Sequence, residues 1–180
     1  ISLPYALDPD KNFYEYGAYQ ALVTWITEKD LTEDEFEKIF KPLFGAFFSS
    51  PWAFEKQVML LEADGITIPD GLKENLRRWS MYEQDIAKNI MNVLDEPEEH
   101  TSRIVRTMYY LDEYASDSKV VLFTNYKETF SIFEEILVDF YTEDGFSCFR
   151  RGMSVDELEM NVCKFQNDKN CTIMLCDESG

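Results

Sequence analysis

The sequence predicts an α/β chain in which a mainly helical region, residues 1–118, precedes a β-α-β-α-β unit with a parallel sheet, residues 119–180. Two observations support this. In the first two thirds, apolar residues recur at helical spacing, and proline and glycine separate the segments. From Lys119 onward, apolar runs of strand length alternate with amphipathic segments. A chain of 180 residues can build one good core, or two small subdomains that share one.

The helical region begins with two segments that carry clear signals. Residues 12–27 repeat apolar side chains every three or four positions, which predicts an amphipathic helix. Thr32 and Glu35 have the spacing of a capping box and open a second helix, which is expected to reach Phe40. The apolar face predicted for the first helix consists of Phe13, Tyr16, Tyr19, Leu22, Val23 and Ile26.

Four more helical segments follow. A short one covers residues 43–48, and Ser50 before Pro51 signals a helix that continues to about residue 63. A long helix is predicted over residues 72–94, and an acidic linker separates it from a helix over residues 100–114. The large apolar side chains of this region are expected to form its core, including Phe47, Phe48 and Trp52.

The spacing of the apolar residues changes at Lys119, and three strands are expected beyond it. The first is the run Val120–Phe123, which does not alternate and so predicts a strand buried on both faces. A helix over residues 128–141 leads to a second strand, residues 146–149. A helix capped by Ser154 leads to a third, residues 171–176. Strands alternating with helices at this spacing predict right-handed crossovers and a parallel sheet.

Composition excludes several classes of protein. A formal net charge of −18 means that the chain as a whole repels bare nucleic acid. Four cysteines without a C-x-x-C pair, and a single histidine, His100, argue against structural zinc and favour buried free thiols in a reducing, cytoplasmic setting. No apolar run is long enough to span a bilayer. The start, Ile1-Ser2-Leu3-Pro4, lacks the features of a signal peptide and suggests a piece of something longer.

Catalysis by this chain alone is not expected. The sequence contains neither a G-x-x-x-x-G-K-[ST] loop nor a G-x-G-x-x-G fingerprint, so it lacks the usual backbone cradle for a nucleotide. A hydrolase triad would need a nucleophile elbow beside His100, and none is present. Its many acidic pairs are typical of a solvated surface.

The residues that follow the strands are the candidates for binding, because ligands of open parallel sheets gather at the carboxyl ends of the strands. These tips combine hydroxyls, amides, a basic pair and a glycine beside helix N-termini, and the tips after the first two strands suit an anion. They are equally well explained as helix caps and turns, and the sequence leaves both open. The candidates are Thr124, Asn125, Tyr126 and Lys127, then Arg150, Arg151, Gly152, Met153 and Ser154, then Asp177, Glu178, Ser179 and Gly180.

The same tips resemble a known family. The segment KVVLFTNYKET from Lys119 resembles motif IV of Swi/Snf-type helicase-like ATPases. FRRGMS followed by VCKF resembles their "G-x-S … F" segment, and TIMLCDESG resembles the strand and first glycine of motif V. The Ser-Pro-x-Ala start at Ser50 is similar to one in the helical region of that family. The bacterial RNA-polymerase-associated branch is the most similar.

This resemblance implies that residues 119–180 are the first half of a second RecA-like lobe, truncated at motif V. It implies contacts to a double-stranded DNA backbone through Thr124, Asn125, Tyr126, Arg151, Gly152 and Ser154. It also implies that Asp177, Ser179 and Gly180 begin the segment that couples these contacts to ATP. ATP and Mg would bind only in an intact parent, which would hydrolyse ATP and could act on a complex such as RNA polymerase. The fragment alone would be inactive and bind no cofactor.

Two positions depart from the family pattern. Leu158 stands where an arginine is usual, and Arg150 and Arg151 precede Gly152 in place of histidine or aspartate. The rival interpretation is a non-catalytic, acidic module that docks on the basic surface of a partner protein.

Overall fold

The computed structural model describes residues 7–29, 31–95 and 102–178, and every structural statement below concerns these residues. They divide into two compact units. The helical unit comprises residues 7–88 with Ser102, and the sheet unit comprises residues 89–95 with 103–178.

The helical unit contains five α-helices and one π-helical turn among its described residues. They are α1 (Phe13–Glu28), α2 (Glu33–Glu35), the π-helical turn Phe36–Phe40, α3 (Lys41–Ser49), α4 (Pro51–Ala63) and α5 (Asp70–Lys88). The predicted start signals are confirmed. Thr32 and Glu35 form a capping box, and the Ser50 hydroxyl accepts a hydrogen bond from the Ala53 N–H. The second predicted helix continues into α3 through the π-helical turn without an interruption.

Aromatic rings form the core of the helical unit. Phe47 is fully buried, and its ring centroid lies 5.1 Å from that of Trp79 and 5.6 Å from that of Phe54. The helix α5 contributes a stripe of buried residues spaced by three or four: Leu72, Leu76, Trp79, Glu83 and Ile86. The expectation for Phe48 was wrong, since 62% of its surface is exposed.

The buried face of α1 is also different from the predicted one. Its buried residues are Glu15, Ala18, Leu22 and Trp25, whereas Phe13 is 70% exposed. Helix α1 packs on α5. A Cβ on Gly17 would lie 2.8 Å from Asn75 Oδ1, so a side chain at this position would require Asn75 to move.

The sheet unit comprises α6 (Ile90–Val93), α7 (Arg103–Ala115), β1 (Val120–Phe123), α8 (Lys127–Gly145), β2 (Phe146–Phe149), α9 (Val155–Asn167) and β3 (Ile173–Cys176). The predicted helix over residues 72–94 is interrupted at Asn89, between α5 and α6. The acidic linker beyond Asp95 and the start of the next predicted helix at His100 lie outside the described residues. Within α8, Thr142 has a positive φ of 60° and kinks the helix one turn before β2.

The three strands form a parallel sheet in the order β1-β3-β2. Cys148 and Arg150 continue one face of β2, and both contact Glu134 of α8. Phe149 points to the other face, where it lines a groove with Leu158 and Val162 of α9. Across the sheet, the connection from β1 to β2 passes over the position of β3, and the connection from β2 to β3 returns toward β1. The helices of these two connections, α8 and α9, lie on opposite faces of the sheet. Crossovers of a single hand produce this arrangement.

Burial in the sheet decreases toward β1. All four residues of β3 are buried, whereas in β1 Val121 is 56% and Phe123 is 53% exposed. The prediction that β1 is buried on both faces was therefore wrong. Its side chains at Val121 and Phe123 share the face of α9, but α9 packs on β2, and no described helix covers β1 on that side.

The predicted boundary between a helical region and a sheet region at residue 118 stays a prediction. The contacts within the structure divide the chain at another position. Helix α7 packs on β1 and belongs with the sheet, so the compact units separate between Lys88 and Arg103. In the part of the chain that the structure describes, no helix is both long and apolar enough to cross a membrane.

Candidate functional site

The carboxyl ends of the three strands lie side by side at one edge of the sheet. Phe123, Cys176 and Phe149 are in register across β1, β3 and β2. The Thr124 N–H donates to the Cys176 carbonyl at 3.0 Å, and the Asp177 N–H donates to the Phe149 carbonyl at 3.0 Å. The structure thus brings together the first residues after each strand, as their positions in the sequence predict.

At the tip of β1, the Thr124 hydroxyl is engaged by the backbone of the same turn. Thr124 is 9% exposed, and its Oγ1 accepts a hydrogen bond from the Tyr126 N–H at 3.2 Å. Asn125 is exposed, and the half-buried Tyr126 is the N-cap residue of α8 without a capping side-chain bond. Burial raises the pKa of Tyr126. Of these three predicted contacts, Asn125 is the most exposed.

The tip of β2 is a tight turn that leads into α9. Gly152 has a φ of +93°, a left-handed conformation that glycine adopts readily, and a Cβ there would meet nothing within 4 Å. Ser154 caps α9 in a capping box: its hydroxyl donates to Glu157 Oε2 at 2.8 Å and accepts from the Glu157 N–H at 3.3 Å. The Ser154 hydrogen bonds lower the pKa of Glu157. The Ser154 side chain is therefore already engaged with its own helix.

The tip of β3 supplies two carboxylates to the tip of β2. Asp177 Oδ2 accepts a hydrogen bond from the Arg151 N–H at 2.7 Å, and Glu178 Oε1 lies 2.8 Å from Arg151 Nη2. Both contacts are charge-assisted. Ser179 and Gly180, predicted for ATP coupling, lie outside the described residues.

Arg150 is held by α8. Its Nη1 lies 2.8 Å from Glu134 Oε2, and its guanidinium lies 5.9 Å from the centre of the Phe130 ring. The same glutamate accepts a hydrogen bond from the Cys148 thiol at 3.7 Å. Arg150 thus fastens β2 to α8.

The four cysteines are free, and they differ in burial. Burial, with a further contribution from the Glu134 carboxylate, raises the pKa of Cys148 to about 12, and burial also raises the pKa of Cys176. Cys171 is buried, whereas Cys163 is exposed on α9. At pH 8 a thiol with a pKa of about 12 is ionised to about one part in 10⁴, and only the thiolate reacts.

We therefore expect iodoacetamide at pH 8 to modify one thiol per native chain rapidly, and the variant Cys163→Ser to lose this fast reaction. Peptide mass spectrometry after a timed quench measures both. Unfolding the chain in denaturant supplies the control, since all four sites should then react. Labelling of Cys148 in the native chain as fast as that of Cys163 would contradict the burial described here.

Two lysines bind backbone carbonyls at the opposite, amino end of the sheet. Lys119 Nζ donates to the carbonyls of Phe165, Asp168 and Cys171, and Lys164 Nζ donates to those of Glu143 and Phe146. Among the described residues of the strand-tip edge, Lys127 is the one basic side chain without an ion pair or hydrogen bond. The basic residues beside the tips are therefore mostly balanced by carboxylates.

Sequence reasoning missed the role of Glu134. Its contact with Arg150 depends on which face of α8 covers β2, and no local pattern specifies that. Asp177 was predicted as a coupling residue, but its bond to the Arg151 N–H could not be foreseen without the order of the strands. Across the described ranges, no group of three or more histidine, cysteine, aspartate or glutamate side chains has the geometry to hold a metal ion.

No protein-family model matches this chain, and neither do the curated proteins and solved structures with which it was compared. The resemblance to Swi/Snf-type ATPases therefore depends on the sequence motifs alone.

Proposed function

We propose that this chain is part of a DNA-dependent ATPase of the Swi/Snf type, and that its sheet unit is the first half of the second RecA-like lobe. In this proposal the strand tips contact the phosphate backbone of duplex DNA. ATP and Mg bind between this lobe and another lobe of a cytoplasmic parent, which can act on a complex such as RNA polymerase. The observation that carries the proposal is the parallel sheet whose tips, with the motif-like residues, meet at one edge.

The exposed face of β1 gives further support. The β2-to-β3 connection moves toward β1, and its helix α9 lies on the face that Val121 and Phe123 share. A connection of the same hand, leading from β3 to a strand beyond β1, would place its helix over these two exposed side chains. A larger parallel sheet of the RecA-like kind would therefore bury the surface that is open here.

The second candidate, a non-catalytic acidic module, is favoured by the charges. Arg150 and Arg151 both pair with carboxylates, and an exposed acidic corner precedes β1. This corner consists of Asp112, Glu113 and Asp117, which form no ion pair within the described part of the chain. A basic protein surface would complement it.

The test is DNA-stimulated ATP hydrolysis by the full-length parent. We expect the double variant Thr124→Ala with Ser154→Ala to reduce the stimulation about fivefold or more, which is the lower range of coupling between two sites. ATP hydrolysis without DNA should change less, because neither side chain is proposed to touch the nucleotide.

A control variant tests whether loss of a capping box elsewhere in the chain is enough to reduce the stimulation. Thr32→Ala removes an equivalent capping box from α2, at a cost of about 1 kcal/mol, in the helical unit. Stimulation by DNA should survive in that variant. Unchanged stimulation in the strand-tip variant would remove the assignment of these residues, and a parent with no ATPase activity at all would favour the acidic module.

A further inference from the structure

The two arginines of the β2 tip are held in different ways. Arg150 is fastened to α8 through Glu134 and lies over the Phe130 ring, so its removal from this position would disturb packing. Arg151 projects further into solvent: 76% of its side chain is exposed, and its partner Glu178 is 50% exposed. An exposed ion pair of this kind contributes little net stability, because water and salt compete with it.

The carboxylates of the β3 tip bind two of the donor groups that Arg151 would offer to an anion. The Arg151 N–H, directly before the left-handed Gly152, donates to Asp177, and the Arg151 guanidinium pairs with Glu178. A carboxylate and a phosphate present similar oxygen acceptors to an arginine, and both can bind its planar fork. A phosphate that approaches this side of the guanidinium competes with Glu178 for Arg151 Nη2.

We infer that Glu178 is an intramolecular stand-in for phosphate: it holds the Arg151 guanidinium in the absence of nucleic acid, and a backbone phosphate displaces it on binding. In this inference the Arg151 side chain exchanges Glu178 for a phosphate, whereas the Arg150 side chain stays bound to Glu134. This inference rests on the proposed function, since it assumes that the strand tips bind a nucleic-acid backbone. A nucleic acid must then displace the Glu178 carboxylate before its phosphate can bind the Arg151 guanidinium, and this competition lowers the affinity for nucleic acid.

The test compares charge-matched variants of the 180-residue chain. The probe is a fluorescein-labelled 20-base-pair DNA duplex at physiological ionic strength, which screens the repulsion between DNA and this acidic chain beyond about 8 Å. Anisotropy reports the dissociation constant. We expect Glu178→Gln to bind the duplex about three- to fivefold more tightly than Glu159→Gln, the range that an exposed ion pair allows. Glu159 is an exposed residue of α9 without an ion pair in the described chain, so its variant carries the same change in net charge.

Two double variants identify which arginine binds the phosphate. The tighter binding of the duplex by Glu178→Gln should disappear when Arg151→Gln is added, because no Arg151 guanidinium remains to be released. It should persist when Arg150→Gln is added, and amide NMR spectra verify that each variant is folded. A direct readout is the Gly152 amide resonance during titration with pyrophosphate, which should shift at lower concentrations in Glu178→Gln than in Glu159→Gln.

The possible failures are distinguishable. Equal affinities of Glu178→Gln and Glu159→Gln for the duplex, or a gain that survives Arg151→Gln, would overturn the stand-in role while leaving DNA binding in place. Failure of every variant to bind duplex or to shift the Gly152 resonance would overturn both the stand-in role and the proposed contact between the strand tips and DNA.

Discussion

Replacing Phe47 by alanine is expected to lower the free energy of unfolding of the helical unit by about 3–5 kcal/mol, the usual cost of removing a fully buried phenylalanine. Phe47 has no exposed surface, and its ring contacts those of Tyr19, Phe54 and Trp79. Alanine would leave a cavity among large, rigid rings that cannot collapse to fill it.

The neighbouring residue supplies a control of identical chemistry. Phe48 is 62% exposed, so Phe48→Ala should cost less than about 1 kcal/mol. Denaturant titration followed by tryptophan fluorescence measures both, because Trp25, Trp52 and Trp79 all lie in the helical unit and report on it alone. Similar losses from the two substitutions would mean that α3 is rotated relative to the orientation described here.

In the sheet unit, Leu175→Ala is expected to cost about 2–5 kcal/mol, and Leu122→Ala about 1 kcal/mol. The two leucines pair directly across β3 and β1, but Leu175 is fully buried in the central strand and Leu122 is half-buried in an edge strand. This difference follows from the order β1-β3-β2. A sheet that followed the order of the chain would put β3 at an edge and β2 in the centre.

Amide hydrogen exchange of the strand peptides, followed by mass spectrometry, gives the free energy of opening for each variant in the sheet unit itself. The helical unit provides an internal control, since exchange in α5 should not change in either variant. A larger loss from Leu122→Ala than from Leu175→Ala would contradict the strand order.

The sequence was most informative where structure is decided locally. The caps at Thr32, Ser50 and Ser154 each depend on residues within three positions of one another, and all three form as predicted. The parallel arrangement of the sheet also follows from a local rule, because strands joined through helices run in the same direction. The RecA-like detail of the lobe stays a prediction.

Features that depend on distant parts of the chain could not be predicted. The apolar run of β1 has the composition of a buried central strand, and only the strand order shows that it is an edge. The buried face of α1 depends on its packing against α5, a helix that is distant in the sequence. At the candidate site, the positions of the tips were predictable, but the engagement of Thr124 with its own backbone and of Arg151 with Glu178 was not.

The open edge of the sheet has a consequence for how this protein behaves at high concentration. The N–H groups of Val120 and Thr124 bond toward β3, so those of Val121 and Phe123 point outward from β1, within a run without charged side chains from Val120 to Tyr126. Such an edge attracts other strands. The net charge of −18 opposes that by mutual repulsion, which salt screens beyond about 8 Å at physiological ionic strength. We therefore expect this chain to self-associate more readily as the ionic strength rises.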